Sequence, residues 1–215
     1  MSAESAIGVD LSWCEIDAEA LAANVSALRS LHPGRLLGVV VKGDAYGHGL
    51  VACAKAFVAA GADWLIVNRI DEAQTLRAAG IVAPLYLCGA LTAELATAAV
   101  GVEELRIASY DWEVAQALNA AAAGENRVVR LHLKVETGTY RQGVGVAEAV
   151  AFARKLTTLP HVDLEGLSTH LADVEDSEDH SFAARQLESL QRARSLLEQA
   201  GIRPVVVHGA SSAAA

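Results

Sequence analysis

Apolar and polar positions along the chain fall into one recurring unit: an alanine-rich stretch with helical spacing, a glycine, then a short run of β-branched or bulky apolar residues. AFVAAGADWLIVN (56–68), LRAAGIVAPLYLCG (76–89), AAAGENRVVRLHLKVETG (121–138) and LEQAGIRPVVVHG (197–209) all carry it. Gly61, Gly80, Gly124 and Gly201 stand where a helix C-terminus takes a residue tolerant of positive φ. The runs WLIV, PLYL, VVRLHL and PVVV read as strands buried on both faces of a parallel sheet. Leu21, Val25 and Leu28 share one face of a helix whose N-cap is Asp17. Phe182, Leu187, Leu190, Ala193 and Leu197 form an apolar stripe on a later helix, opposite Arg185, Glu188, Arg192 and Glu198.

Strand-like runs occur at 36–42, 63–67, 84–88, 103–108, 128–135, 162–169 and 203–208. Alternation of strand and helix through short glycine-ended connections predicts an α/β fold with parallel strands. No GxGxxG follows the first run, which counts against a dinucleotide-binding sheet. Seven runs are one short of eight, so the expectation is a single-domain (β/α)8 TIM-type barrel over residues 1–215, truncated before its last strand. Its two unpaired edges would invite association.

Composition narrows the class without naming a chemistry. The 215 residues are 53% hydrophobic with a formal net charge of −9. That supplies a core, and offers no attractive field for nucleic acid or an anionic membrane. Cys14, Cys53 and Cys88 are widely spaced without a CxxC pair, which reads as reduced cysteine in a cytoplasmic protein, not a zinc site or disulfide frame. MSAESAIGVD lacks the basic and apolar regions of a secretory signal, and no apolar stretch is long enough to span a bilayer.

Candidate chemistry collects just after the strand-like runs. Lys42 ends LLGVVV and Asn68 ends WLIV; Lys134, Glu136 and Arg141 follow VVRLHL; His170 ends VDLEGLST; His208, Ser211 and Ser212 follow PVVV. In a parallel barrel these ends open on one face, where active sites lie. The acids Asp173, Glu175, Asp176, Glu178 and Asp179 read as a solvated loop or helix start, not a metal cage. His32, His48, His161 and His180 read as structural or solvent-facing.

VVVKGDAYGHG resembles the pyridoxal phosphate (PLP) lysine motif of alanine racemases, usually VVKADAYGHG. WCEIDAEALAANVSALR resembles that family's opening segment, HLKVETGTYRQGV its HLKVDTGMxRLG motif, GLSTHLADVED its GxxTHFAxAD and VVHGASSAA its HxxNSAA. The resemblance implies that Lys42 forms the internal aldimine with PLP and serves as one catalytic base. It implies that Tyr46, Ser211 and Ser212 reach the cofactor phosphate, that Arg141 bonds the phenolate oxygen, and that His170 stacks on the pyridine ring. Lys134 corresponds to a lysine carbamylated in some members, where the anion orients the arginine. Thr139 and Arg141 lie near the substrate carboxylate by the same resemblance.

Such groups suit the chemistry, because PLP delocalises the carbanion left when an α-proton departs. Racemisation takes a proton from one face and returns it on the other, so two acid/base groups must flank the substrate. In the family the second is a tyrosine of a C-terminal β domain from the partner subunit of a homodimer. The sequence departs from the pattern at Gly43 (usually alanine), Glu136 (aspartate), Thr139 (methionine) and Ser211 (asparagine), and the β domain lies outside it. The expectation is therefore an alanine racemase barrel that is weak or inactive alone. The alternatives are a racemase of another small amino acid, a non-catalytic PLP-binding homeostasis protein, or a barrel that only partners a longer racemase.

Overall fold

The computed structural model describes residues 13–175 and 179–214. In chain order its elements are α1 (Ala18–Leu31), β1 (Gly38–Val40), α2 (Lys42–Gly47), α3 (Leu50–Ala59), β2 (Trp64–Val67), α4 (Ile70–Ala78), β3 (Leu85–Leu87) and α5 (Ala96–Val100). There follow β4 (Leu105–Ser109), α6 (Trp112–Gly124), β5 (Val129–Glu136), β6 (Val144–Gly145), α7 (Ala149–Leu156), β7 (Val162–Ser168), α8 (Ser181–Gln199) and β8 (Val206–His208).

The strands pair in parallel in the order β1-β2-β3-β4-β5-β7-β8, so each run expected from the sequence takes its place in one wall. β6 is a two-residue addition on the end of β5. Among the described residues no ladder joins β8 to β1, and the wall is an incomplete barrel.

Period-two alternation divides each strand between two environments. Leu65, Val67, Leu85, Leu87, Leu105, Ile107 and Leu131 join Ala54, Ala73, Leu76 and Leu118 of the helices in one core. Leu133, Val135 and Leu167 pack with Ala153, Leu190 and Leu197 in a second. The other parity carries Trp64, Tyr86, Arg106, His132, Ser168 and His208, linked to one another inside the wall, with Lys134 at its end. Burial on both faces holds as expected along β3, β4 and most of β5. What the pattern did not give is the polarity of the second face, plainest at β5, where Arg130, His132 and Lys134 alternate with Leu131 and Leu133.

Helix ends follow the local chemistry. Asp17 caps α1, its Oδ1 accepting from the N–H groups of Glu19 (2.9 Å) and Ala20 (3.0 Å). Gly61, Gly80 and Gly201 take positive φ at helix ends. Gly124 does not: it is the last residue of α6, and Asn126 (φ 51°) turns the chain instead. On α8, Leu190, Ala193 and Leu197 are buried as expected, but Leu187 faces solvent. The fully buried side chain beside it is Gln186, whose Nε2 donates to Ala172 O (2.7 Å) and whose Oε1 accepts from Ala172 N (2.8 Å).

Between β5 and β7 the register shifts: Leu131 pairs with Leu164, and His132 with Gly166. That β-bulge is why Glu165 and Ser168, three residues apart and so of opposite parity in a regular strand, both bond groups inside the wall.

Candidate active site

Val41 N–H still donates to Ile66 O (2.9 Å), so Lys42 leaves the sheet at the C-terminal end of β1. The chain then winds left-handed, with φ of 62°, 57°, 53° and 56° at Gly43, Asp44, Ala45 and Tyr46. A non-glycine residue there costs roughly 1–2 kcal/mol. Opposing contacts hold it: Ala45 N donates to Val41 O (2.8 Å), Leu50 N to Asp44 Oδ1 (2.6 Å), and Gly43 N to Glu72 Oε1 (2.6 Å). The turn leaves Lys42 Nζ 5.9 Å from the centre of the exposed Tyr46 ring, within cation–π range.

Lys134 leaves β5 almost fully buried, and its Nζ donates to Gln142 Oε1 (3.0 Å). Gln142 Nε2 donates in turn to the hydroxyl of Tyr110 (2.8 Å). Burial, then the charges of Arg141 and Lys42, push the Lys134 ammonium pKa down. The loop after β5 is organised by Glu136, which accepts from Gly138 N (2.5 Å), Thr139 Oγ1 (2.9 Å) and Arg141 N (3.1 Å). Burial alone would raise this carboxyl, but the donors, a Tyr140 N–H among them, hold it at about 2. Arg141 is thereby presented from a pinned backbone, and the hydroxyl of Thr139 is already engaged by Glu136.

His170 lies just beyond β7. Burial lowers its pKa, and Arg141, Lys134 and Lys42 lower it further. Cys88, at the end of β3, feels the same three cations, which oppose the rise that burial causes in its thiol. Four of the expected residues thus share one electrostatic neighbourhood at one rim: Lys42, Lys134, Arg141 and His170. Ser211 follows β8 with its Oγ buried and without a hydrogen-bond partner among the described residues, while Ser212 is exposed at the start of a short turn (Ser212–Ala214).

One expectation fails. His208 is not a rim group: its Nε2 lies 2.8 Å from His132 Nδ1 inside the wall, and its ring meets Tyr86 edge-on at 4.8 Å. His132 Nε2 donates to Glu165 Oε2 (2.9 Å), which also accepts from Arg106 Nε (3.1 Å). Tyr86 and Ser168 hydroxyls are bonded at 3.1 Å. The signal for this polar column was the alternation R-L-H-L-K at 130–134; the bulge that brings in Glu165 leaves no such trace. Of the acidic run, Asp173 and Glu175 are exposed as expected, with Val174 buried between them and Leu171 buried just before. Asp176 and Glu178 lie outside the described residues.

A cationic rim with a buried hydroxyl that has no partner among the described residues suits an anionic, phosphate-bearing ligand. The donor set fits PLP. The family model described as the alanine racemase N-terminal domain matches residues 16–215. The chain belongs to this family. It is 41% identical to the alanine racemase of Symbiobacterium thermophilum over 206 residues, covering 96% of this chain and 54% of that one. The alanine racemase of Desulfovibrio desulfuricans is 40% identical over 203 residues, 94% of this chain and 54% of the relative. Among solved structures, an alanine racemase of Clostridium difficile superposes with a TM-score of 0.86 at 28% identity, over 91% of this chain and 51% of that one. The Bacillus anthracis enzyme with bound L-Ala-P gives 0.86 at 31% identity, over 94% and 52%. The chain spans about half the length of the alanine racemases it matches. Its incomplete barrel corresponds to their N-terminal barrel.

Proposed function

We propose that this chain is the cofactor-binding barrel of a PLP-dependent alanine racemase, an isomerase that interconverts L- and D-alanine in the cytoplasm and supplies D-alanine for peptidoglycan. The observation that carries the reading is the convergence of Lys42, Lys134, Arg141 and His170 on one rim that also holds the unpartnered Ser211 Oγ. When bound, the cofactor supplies an electron sink for the carbanion at the substrate Cα. Lys42 Nζ would hold the cofactor aldehyde and would carry a proton to or from one face of that carbon. Arg141 would donate to the phenolate oxygen and the substrate carboxylate. The hydroxyls of Tyr46, Ser211 and Ser212 would take the phosphate, and His170 would pack on the ring. Carbamylation of Lys134 would turn a buried cation into an anion facing Arg141. The proton on the second face comes from the rest of the racemase architecture, in the partner subunit of a homodimer.

Borohydride reduction of the chain with PLP, followed by peptide mapping, tests this. A pyridoxyl group on Lys42 that is lost in Lys42→Ala supports the reading; labelling confined to surface lysines such as Lys55 overturns it. With L-alanine, the chain alone is expected to turn over weakly. Rapid D-alanine formation would refute the need for a second base from outside this chain.

A further inference from the structure

Glu72 lies 29 residues from Gly43 in sequence, on the first turn of α4, yet its carboxylate joins two elements. Oε2 accepts from the N–H groups of Asn68 (2.8 Å) and Arg69 (3.0 Å), closing the start of α4. Oε1 reaches across to Gly43 N–H at 2.6 Å. That N–H belongs to the peptide bond carrying the Lys42 carbonyl, the point at which the chain turns from strand into left-handed winding. The other links of that stretch lie further on, at Ala45 and Leu50, or before it, at Val41.

We propose that Glu72 is a positioning residue for Lys42. It fixes the peptide after the lysine against the β2–α4 connection and so sets the direction in which the amine leaves the rim. A helix cap needs one acceptor oxygen, whereas here both are engaged, the second on the Gly43 N–H of the peptide that follows the reactive residue. The inference deepens the cofactor reading and rests on it for what Lys42 holds. The contact itself does not.

Glu72→Gln keeps one carbonyl oxygen, sufficient for the cap, but turns an NH2 toward one of the N–H donors. Asp71→Asn is the control, since Asp71 bonds Arg69 and the Glu72 N–H without touching Gly43. Two quantities are read well below the unfolding transition: hydrogen exchange of the Gly43 amide, and the rate of borohydride-trapped pyridoxyl incorporation at Lys42. In Glu72→Gln, Gly43 exchange is expected to rise and Lys42 trapping to fall, each by about ten-fold; Asp71→Asn changes neither. A helix-capping role alone would lower the melting temperature and leave the trapping rate unchanged, and that result overturns the proposal. So does an unprotected Gly43 amide in the native chain, a measurement that needs no variant to fold. If Lys42 in the native chain takes no pyridoxyl group, the cofactor reading falls, and the Gly43 exchange comparison alone upholds or overturns the positioning role.

Discussion

At the scale of single residues, Gly166 shows how little freedom the inner column leaves. A Cβ there would lie 2.5–2.6 Å from three atoms of the His132 ring. The ring cannot swing aside, because Glu165 holds one nitrogen (2.9 Å) and His208 the other (2.8 Å). Gly166→Ala is therefore expected to destabilise the fold by about 1–3 kcal/mol, the usual cost of overpacking, read as a lowered guanidinium midpoint. An unchanged midpoint would mean that the imidazole is free to move. Lys42 and His170 were legible because each sits at or just past the end of an apolar run, and topology alone brings such positions together; Arg141, in the loop well beyond β5, was legible only through the motif it belongs to. His132 and Glu165 were not. A histidine inside an apolar run has no sequence mark separating a core group from a ligand, and Glu165 turns inward only through the bulge.

At the scale of elements, the strands and most helices followed from period and caps, whereas α2 did not. Its sequence, KGDAYG, has one glycine where four consecutive residues go left-handed, so local preference opposes the observed shape. What holds it is non-local or specific to one side chain. Glu72 reaches in from α4, and Asp44 accepts the first N–H of α3 at 2.6 Å. Asp44→Ala removes that acceptor from a helix start whose N-cap, Gly49, has no side chain to replace it. The expected loss is about 1 kcal/mol, as for other helix-start acceptors, with faster amide exchange at Leu50. Stability equal to the parent would show that water replaces the carboxylate at no cost. The Gly124 expectation failed for a related reason. Nothing in AAAAGEN obliges the helix to stop at glycine, and asparagine tolerates the same turn two residues later.

At the scale of the whole molecule, the polar column makes stability depend on pH. Burial first, then the neighbouring His132 and Lys134, push the His208 pKa down to about 3. In the unfolded chain the same group titrates near 6.5. Between those values the unfolded state holds a proton that the folded state does not, so stability rises with pH there. The contribution is complete above about 6.5 and shrinks as the pH falls toward 3, by about 1.4 kcal/mol per pH unit. The carboxylates act in a lower window. Burial opposes their ionisation, but His132 and Arg106 bring Glu165 to about 2, as the loop donors do for Glu136, so their contributions are lost as the pH falls from about 4.5 toward 2. Tyr86 is raised by burial and stays protonated throughout. Between pH 6.5 and 5, then, the depressed histidines act, His208 with the larger shift and His170 in the same direction. Denaturant titrations at pH 7.5 and 5.5 should show a loss of about 1 kcal/mol in the parent chain and a smaller one in His208→Asn, which carries no titrating proton. Equal losses in the two proteins would assign the acid sensitivity to another group and remove His208 from the account. A flat parent profile would mean that His208 keeps its ordinary pKa, which burial beside a second imidazole at 2.8 Å does not allow.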